Sequence, residues 1–231
     1  MKNRGTAFYN TYRPRQFGQV LGQEQSLEIL RKQAKLDAFG HAYLLYGPSG
    51  TGKTTTARLL AMALNCPAMN GTGEPCGECP SCKTIYEGAN WDVFEMDAAS
   101  QRGIDDIREL KMRAYLSPIG KKKVYIIDEA HALTEPAWNA LLKLLEEPPP
   151  HLTIILCSTA PDKIPLTVKS RCQLYPFHQV AAKHIRAKLT GIIEEWGIEL
   201  DSKALDFIVE SSAGNMRSAE NVLEQVTILK V

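Results

Sequence analysis

Residues 47–54 read Gly-Pro-Ser-Gly-Thr-Gly-Lys-Thr, directly after a short apolar run from His41 to Tyr46. Glycines at this spacing let successive backbone N–H groups turn toward one anion. A helix beginning at the end of the loop points its positive end at the same place. Gly47, Gly50 and Gly52 supply that freedom, with Pro48, Ser49, Thr51 and Thr55 completing the candidate cradle. Lys53 is placed to reach the β- and γ-phosphates as a point charge, and the Thr54 hydroxyl to ligate Mg2+. The chemistry this pattern suits is binding of a nucleoside triphosphate, with ATP expected.

A second constellation follows at Val124-Tyr125-Ile126-Ile127-Asp128-Glu129, an apolar strand ending in two carboxylates. Asp128 is expected to hold Mg2+, mostly through water. Glu129, one residue further on, is expected to orient or deprotonate an attacking water. Taken alone, acidic residues after a buried strand also occur simply as helix starters; beside an intact phosphate loop they read as catalytic.

A third cluster is Cys66, nine residues, Cys76, two residues, Cys79, two residues and Cys82. Two-residue spacers let thiolates converge on one tetrahedral ion, and Gly71, Gly73 and Gly77 provide turns around it. Structural Zn2+ is the expected occupant, against a redox pair or unligated thiols. Four thiolates leave no open position for metal catalysis. Cys157 and Cys172 stand apart in apolar surroundings.

These groups need a scaffold. Strands are expected at His41–Tyr46, Trp91–Met96, Lys123–Ile127 and Thr153–Cys157, with a weaker one at Gln173–Phe177. Helices are expected at Thr54–Leu64, Ile104–Tyr115 and Glu135–Glu146. Helices between strands are the crossovers of a parallel sheet. Trp138, Leu141, Leu142 and Leu145 form the apolar face of the last of these helices, which Pro148, Pro149 and Pro150 end. Beyond His178 only helices are expected, at Ala181–Trp196, Ser202–Ser211 and Ser218–Val231. Ile198–Asp201 reads as an extended link and Gly214-Asn215 as a helix break or cap. The fold class is therefore α/β: a nucleotide-binding domain over 1–178, interrupted by a cysteine module at about 66–82, then a small all-helical domain over 179–231.

The 231 residues are 44% hydrophobic and 23% charged, as in a folded soluble protein rather than a disordered one. The formal charge of +1 excludes a uniformly basic nucleic-acid binder but not a local basic stripe. Lys121-Lys122-Lys123 reads as a solvated turn. No apolar run approaches the roughly 20 residues that cross a bilayer, and Met1–Asn10 has no signal-peptide core, so a cytoplasmic protein without membrane association is expected.

Asp128-Glu129-Ala130-His131 also matches the box of one helicase superfamily, and Ser158-Thr159-Ala160 resembles another helicase motif. Such helicases need two domains of about 150 residues or more, and the helical tail is too short for the second. An AAA+ module, an α/β domain with a helical lid, fits the length better.

The chain resembles, over essentially its whole length, the first two domains of the gamma/tau subunits of bacterial DNA polymerase III, the AAA+ ATPases of the clamp loader. The resemblance rests on Tyr12-Arg13-Pro14 with Phe17, Val20-Leu21-Gly22-Gln23, the phosphate loop, the four cysteines, Asp97-Ala98-Ala99-Ser100, Asp128-Glu129-Ala130-His131, Ser170-Arg171-Cys172 and Gly214-Asn215-Met216-Arg217. It implies that Tyr12, Arg13, Val20 and Gly22 contact base and ribose; without it, residues 8–23 would read as a polar arm. It implies that Thr159 is a first sensor of the γ-phosphate and Arg217 a second, reaching from the lid. Arg171 would enter a neighbouring subunit's site as an arginine finger, and the cysteines would hold zinc. Ser49 departs from the pattern, since many members carry arginine there.

The implied function is ATP-driven loading of a sliding clamp onto primed DNA, with the other clamp-loader subunits, the clamp and primer–template DNA as partners. DNA is gripped largely through phosphates in this family, so no base-reading motif is expected. The alternatives are a non-hydrolysing structural subunit of the same loader, or an AAA+ motor such as a recombination helicase. The chain stops at Val231 while the family continues into a helical collar. An oligomer is therefore expected in the full assembly, and a monomer with little activity for this stretch alone.

Overall fold

The computed structural model describes residues 7–69 and 71–229. Residues 1–6 of the first expected domain, residue 70, and the last two of the expected helix Ser218–Val231 lie outside them. The chain opens with a one-turn helix α1 (Phe8–Thr11), a 3-10 turn at Phe17–Gln19 and helix α2 (Glu24–Leu36). It continues through β1 (Ala42–Tyr46), α3 (Lys53–Asn65), α4 (Pro80–Tyr86), β2 (Val93–Asp97), α5 (Ile104–Ala114), β3 (Lys123–Asp128) and α6 (Glu135–Glu146). Then come β4 (Leu152–Ser158), α7 (Leu166–Lys169), β5 (Gln173–Pro176), and α8 (Ala182–Trp196), α9 (Ser202–Ser211) and α10 (Met216–Leu229).

All five strands are parallel, in the order β2-β3-β4-β1-β5. Side chains alternate between the two faces of a strand, and β1, β3 and β4 are apolar at nearly every position, so the sheet is covered on both sides. Tyr43, Leu45, Val124, Ile126, Ile155 and Cys157 face one core, shared with α2 and α3. Leu44, Tyr125, Ile127, Ile154 and Leu156 face the other, shared with α5 and α6. Parallel pairing brings the carboxyl ends of β1, β3 and β4 together: Tyr46 pairs with Ser158, and Ile127 with Leu156. Ligands of open α/β sheets bind outside these ends.

Strands end with β5. Helices α8–α10 build a third core around Ile185, Leu189, Ile192, Ile208 and Leu223, into which Phe8 of the amino-terminal arm is also packed. Ile198 and Leu200, in the link between α8 and α9, pack against it as well.

Helix α2 was not foreseen from the pattern, although Leu27, Leu30 and Ala34 lie on one buried face at helical spacing. Helix α4 was also missed; the surrounding glycines and cysteines masked a seven-residue helix. The lysine run is not simply a solvated turn. Lys123 is buried, and its Nζ donates to the carbonyls of Arg113 and Leu116 at 2.8 and 2.9 Å, closing the end of α5. A cation is favoured there by the helix dipole and the unpaired terminal carbonyls.

Candidate functional site

The loop between β1 and α3 is shaped by positive φ at Gly47, Gly50 and Gly52. A Cβ on Gly47 would overlap the carbonyl oxygen of Phe177, and one on Gly50 the Asn215 side chain. Glycine is required by space as well as by φ at Gly47, where the obstacle is backbone, and by φ at Gly50. Lys53, the first residue of α3, is buried and donates from Nζ to the carbonyls of Gly47 and Pro48 at 2.8 and 2.7 Å, so its ammonium spans the mouth of the loop. Burial lowers its pKa; the nearby Cys157, Glu129 and Asp128 groups push the other way. Thr51 Oγ1 donates to the Pro48 carbonyl at 2.9 Å, bracing the loop from inside.

A hydrogen-bonded line runs across the strand ends. Thr54 Oγ1 donates to Asp128 Oδ2 at 2.7 Å, and Asp128 Oδ1 accepts the Glu129 backbone N–H at 2.9 Å. Thr159 Oγ1 donates to Glu129 Oε2 at 2.7 Å. Glu129 has left-handed backbone with φ 47, unusual for a residue with a side chain. His131 Nδ1 lies 3.2 Å from the same Glu129 oxygen and 3.2 Å from Ser158 Oγ. Thr54 and Asp128 thus present two oxygen donors side by side, a fit to a hard cation such as Mg2+.

One cavity joins Lys53, Thr54, Asp128 and Glu129; Thr159, bonded to Glu129, is outside its lining. It is lined by residues 49–55 of the loop and helix start, by Asp128 and Glu129, by Arg13, Val20 and Leu21 of the amino-terminal arm, and by Lys188 and Arg217 of the helical region. The Met216 N–H donates to the Gly50 carbonyl at 3.2 Å, and Asn215 Oδ1 caps α10 by accepting the Ser218 N–H at 3.0 Å. The start of α10, with Arg217, is therefore docked on the phosphate loop. Glu220, one turn on, is buried and pairs with Lys188 at 2.7 Å; burial raises its carboxyl above the usual range while Lys188 opposes the shift. Burial and the neighbouring Arg58 lower Arg13.

Other named residues lie elsewhere. Tyr12 is outside the cavity lining, its hydroxyl accepting the Trp196 indole N–H at 2.6 Å within the third core. Gly22 is also outside the lining and packs against Val180; Leu21 lines the cavity in its place. Arg171 is away from its own chain's cavity, paired to Glu146 at 2.7 Å. Lys188 and Glu220 were missed by sequence reasoning. Charged residues on otherwise apolar helix faces were the available signal.

The Sγ atoms of Cys66, Cys76, Cys79 and Cys82 all lie within 4.8 Å of one another. A tetrahedral ion with bonds of about 2.3 Å needs sulfurs about 3.8 Å apart, and Cys76 and Cys82 are at 3.9 Å. Backbone N–H groups of Cys76, Cys79 and Cys82 donate to the sulfurs of Cys66, Cys76 and Cys79, each at 3.4 Å. Burial opposes it, but such bonds, with those from neighbouring thiols, bring Cys76 down to about 7. The donor set and spacing are compatible with zinc.

Residues 22–181 match the family model described as DNA polymerase III, delta subunit. The chain belongs to that family. Within it, the chain is similar to the DNA polymerase III subunit tau of Bacillus subtilis, 42% identical over 95% of this chain and 39% of the relative. It is 42% identical to the subunit gamma/tau of Mycobacterium tuberculosis H37Rv, over 95% of this chain and 38% of the relative. It is 40% identical to the subunit tau of Escherichia coli K12, over 93% and 33%. The chain thus spans two fifths or less of the length of these relatives. Among solved structures it is similar to the Thermotoga maritima RuvB Holliday junction branch migration motor, with a TM-score of 0.66 at 19% identity, covering 95% of this chain and 68% of that one. At that identity the likeness concerns the fold alone, which is that of an AAA+ ATPase. Among the described residues no helix is long and apolar enough to cross a membrane.

Proposed function

We propose that the chain is an ATP-hydrolysing subunit of a bacterial clamp loader, coupling ATP binding and hydrolysis to placement of a sliding clamp on primed DNA. In this reading residues 1–178 form the nucleotide domain and 179–231 its lid. The observation that carries the reading is the hydrogen-bonded line Thr54–Asp128–Glu129–Thr159, whose first three members line the same cavity as Lys53 and Arg217. Family membership and the gamma/tau relatives supply the clamp-loader context.

The residues divide the work. Backbone N–H groups of 49–55 and the Lys53 ammonium receive the phosphates, Lys53 exchanging its loop carbonyls for phosphate oxygens. Thr54 and Asp128 would hold Mg2+, which neutralises charge on the β- and γ-phosphate oxygens when bound. Glu129, aimed by Thr159, accepts hydrogen bonding from the attacking water and positions it on the γ-phosphate. Arg217 reports the γ-phosphate to the lid through α10. Arg171 leaves Glu146 to act on the neighbouring subunit's phosphates, giving a shared site. Cys66, Cys76, Cys79 and Cys82 would hold structural Zn2+.

Replacing Glu129 with glutamine keeps the side chain's shape and removes its charge. ATP binding is expected to persist while turnover falls at least about 100-fold. ATPase activity should be measured with and without sliding clamp, primed DNA and collar-bearing loader subunits. Unchanged turnover in E129Q defeats the mechanism, and no stimulation of the wild type by any of these partners defeats the clamp-loader assignment.

A further inference from the structure

We propose that the cysteine module is a clasp for the nucleotide cavity, acting through Glu74 and Tyr86 on the backbone of the arm that forms part of the cavity wall. The proposal rests on the nucleotide reading above and gives the module a task within it.

Glu74 lies between Cys66 and Cys76 in sequence, and its carboxylate is buried. Oε2 accepts the Phe17 N–H at 2.6 Å and Oε1 accepts the Gly18 N–H at 3.0 Å. Arg31 of α2 pairs with the same carboxylate at 2.9 Å, which offsets the cost of burying its charge. Gly73 has φ 83, and a Cβ there would overlap the Arg31 carbonyl oxygen, so the module is pressed against α2. Phe17 and Gly18 begin the 3-10 turn that runs straight into Gln19, Val20 and Leu21, all three of which line the cavity.

A second, separate contact comes from α4. The hydroxyl of Tyr86 donates to the Arg13 carbonyl at 3.1 Å, and the Arg15 guanidinium lies 4.3 Å over the Tyr86 ring. Arg13 and Pro14 line the same cavity. Cys79 caps the start of α4, accepting the Cys82 N–H, and Cys82 lies in its first turn. The elements that carry Glu74 and Tyr86 are therefore tied at the cysteine cluster. The three hydrogen bonds are all to backbone groups of residues 13–18, so the module fixes the path of the arm, with the Arg15–Tyr86 stacking as the one side-chain contact beside them. If Glu74 moves away, the Phe17 N–H loses a charged acceptor in a buried place and the Gly18 N–H one in a partly buried place, and the turn has reason to rearrange.

The phosphate loop itself has no contact with Glu74 or Tyr86 among those above, and this separates the clasp from general stability. The test uses the 231-residue chain with E74A, E74Q and Y86F. Binding of a fluorescent ATP analogue is compared with binding of inorganic tripolyphosphate, which engages the phosphate loop but has no base to meet the arm. E74A is expected to retain its zinc and its tripolyphosphate affinity while binding the ATP analogue about tenfold more weakly, a charge-assisted bond's worth. Amide exchange at Phe17 and Gly18 is expected to accelerate. E74Q, which keeps one acceptor, should recover part of the affinity, and Y86F should weaken binding in the same sense. Stripping zinc from the wild type with a chelator should reproduce the E74A pattern.

Unchanged affinity for the ATP analogue in both E74A and Y86F overturns the proposal, and so does a parallel loss of tripolyphosphate affinity. If E74A does not fold, Y86F, which lacks only a hydroxyl, decides alone. A wild type that binds no ATP analogue overturns the nucleotide reading itself, an outcome distinct from failure of the clasp.

Discussion

Glu129 shares left-handed backbone with Asp37 and Ala213, but of these three it is the one that lines the cavity. Its left-handed backbone costs about 1–2 kcal/mol, and its carboxylate is held by Thr159 and His131 at the cavity wall. Such a residue is over-determined by its surroundings, which is how a reactive group is kept in one orientation. Thr159→Val keeps the shape and removes the donor. In steady-state assays hydrolysis should drop about tenfold while the affinity for ATP stays within about twofold, the outcome expected of a residue that serves the proposed mechanism by aiming Glu129. Tyr12 shows the opposite case. It belongs to the arm whose neighbours line the cavity, yet its hydroxyl is committed to Trp196. A tyrosine's role is set by where its ring finds a partner, and that partner is 184 residues away.

At the scale of elements, the hydrogen-bonded line from Thr54 to Thr159 depends on the carboxyl ends of β1, β3 and β4 being level. Helix α5 contributes by closing one face of the sheet, and Lys123 is its lock. Lys123→Met preserves the aliphatic stem but leaves the Arg113 and Leu116 carbonyls without their cation. A loss of about 1.5–3 kcal/mol in unfolding stability is expected, read from denaturant midpoints at unchanged slope. Helix α10 plays a comparable part on the other side of the cavity. Asn215 caps it while the Met216 N–H engages the Gly50 carbonyl, so any shift of the loop is passed to the axis that carries Arg217. Helices α2 and α4 were hard to see in the sequence for different reasons. In α2 the apolar stripe is narrow and flanked by many charges, and α4 is a single segment trapped between turns.

At the scale of the whole molecule, Arg171 is the residue with no task inside its own chain's cavity. Its guanidinium sits on Glu146 and the Thr167 carbonyl, held at the surface. In mixed assemblies Arg171→Ala should leave each subunit's ATP affinity intact and reduce hydrolysis at the adjoining site by about 10³-fold or more. An equal loss in the isolated chain would place Arg171 in cis instead. By itself, the sequence determined the phosphate loop, the paired carboxylates after an apolar strand, the four-cysteine set and the division into strands followed by helices. Each of these is written in patterns along contiguous sequence, where backbone sterics, helix period and ligand spacing act locally. The tertiary structure alone decided that Leu21 rather than Gly22 lines the cavity, that Lys123 is buried, that Lys188 pairs with Glu220, and that Glu74 reaches back to Phe17. These depend on contacts between segments far apart in the chain, and a buried charge takes its partner from whichever segment the packed cores bring beside it.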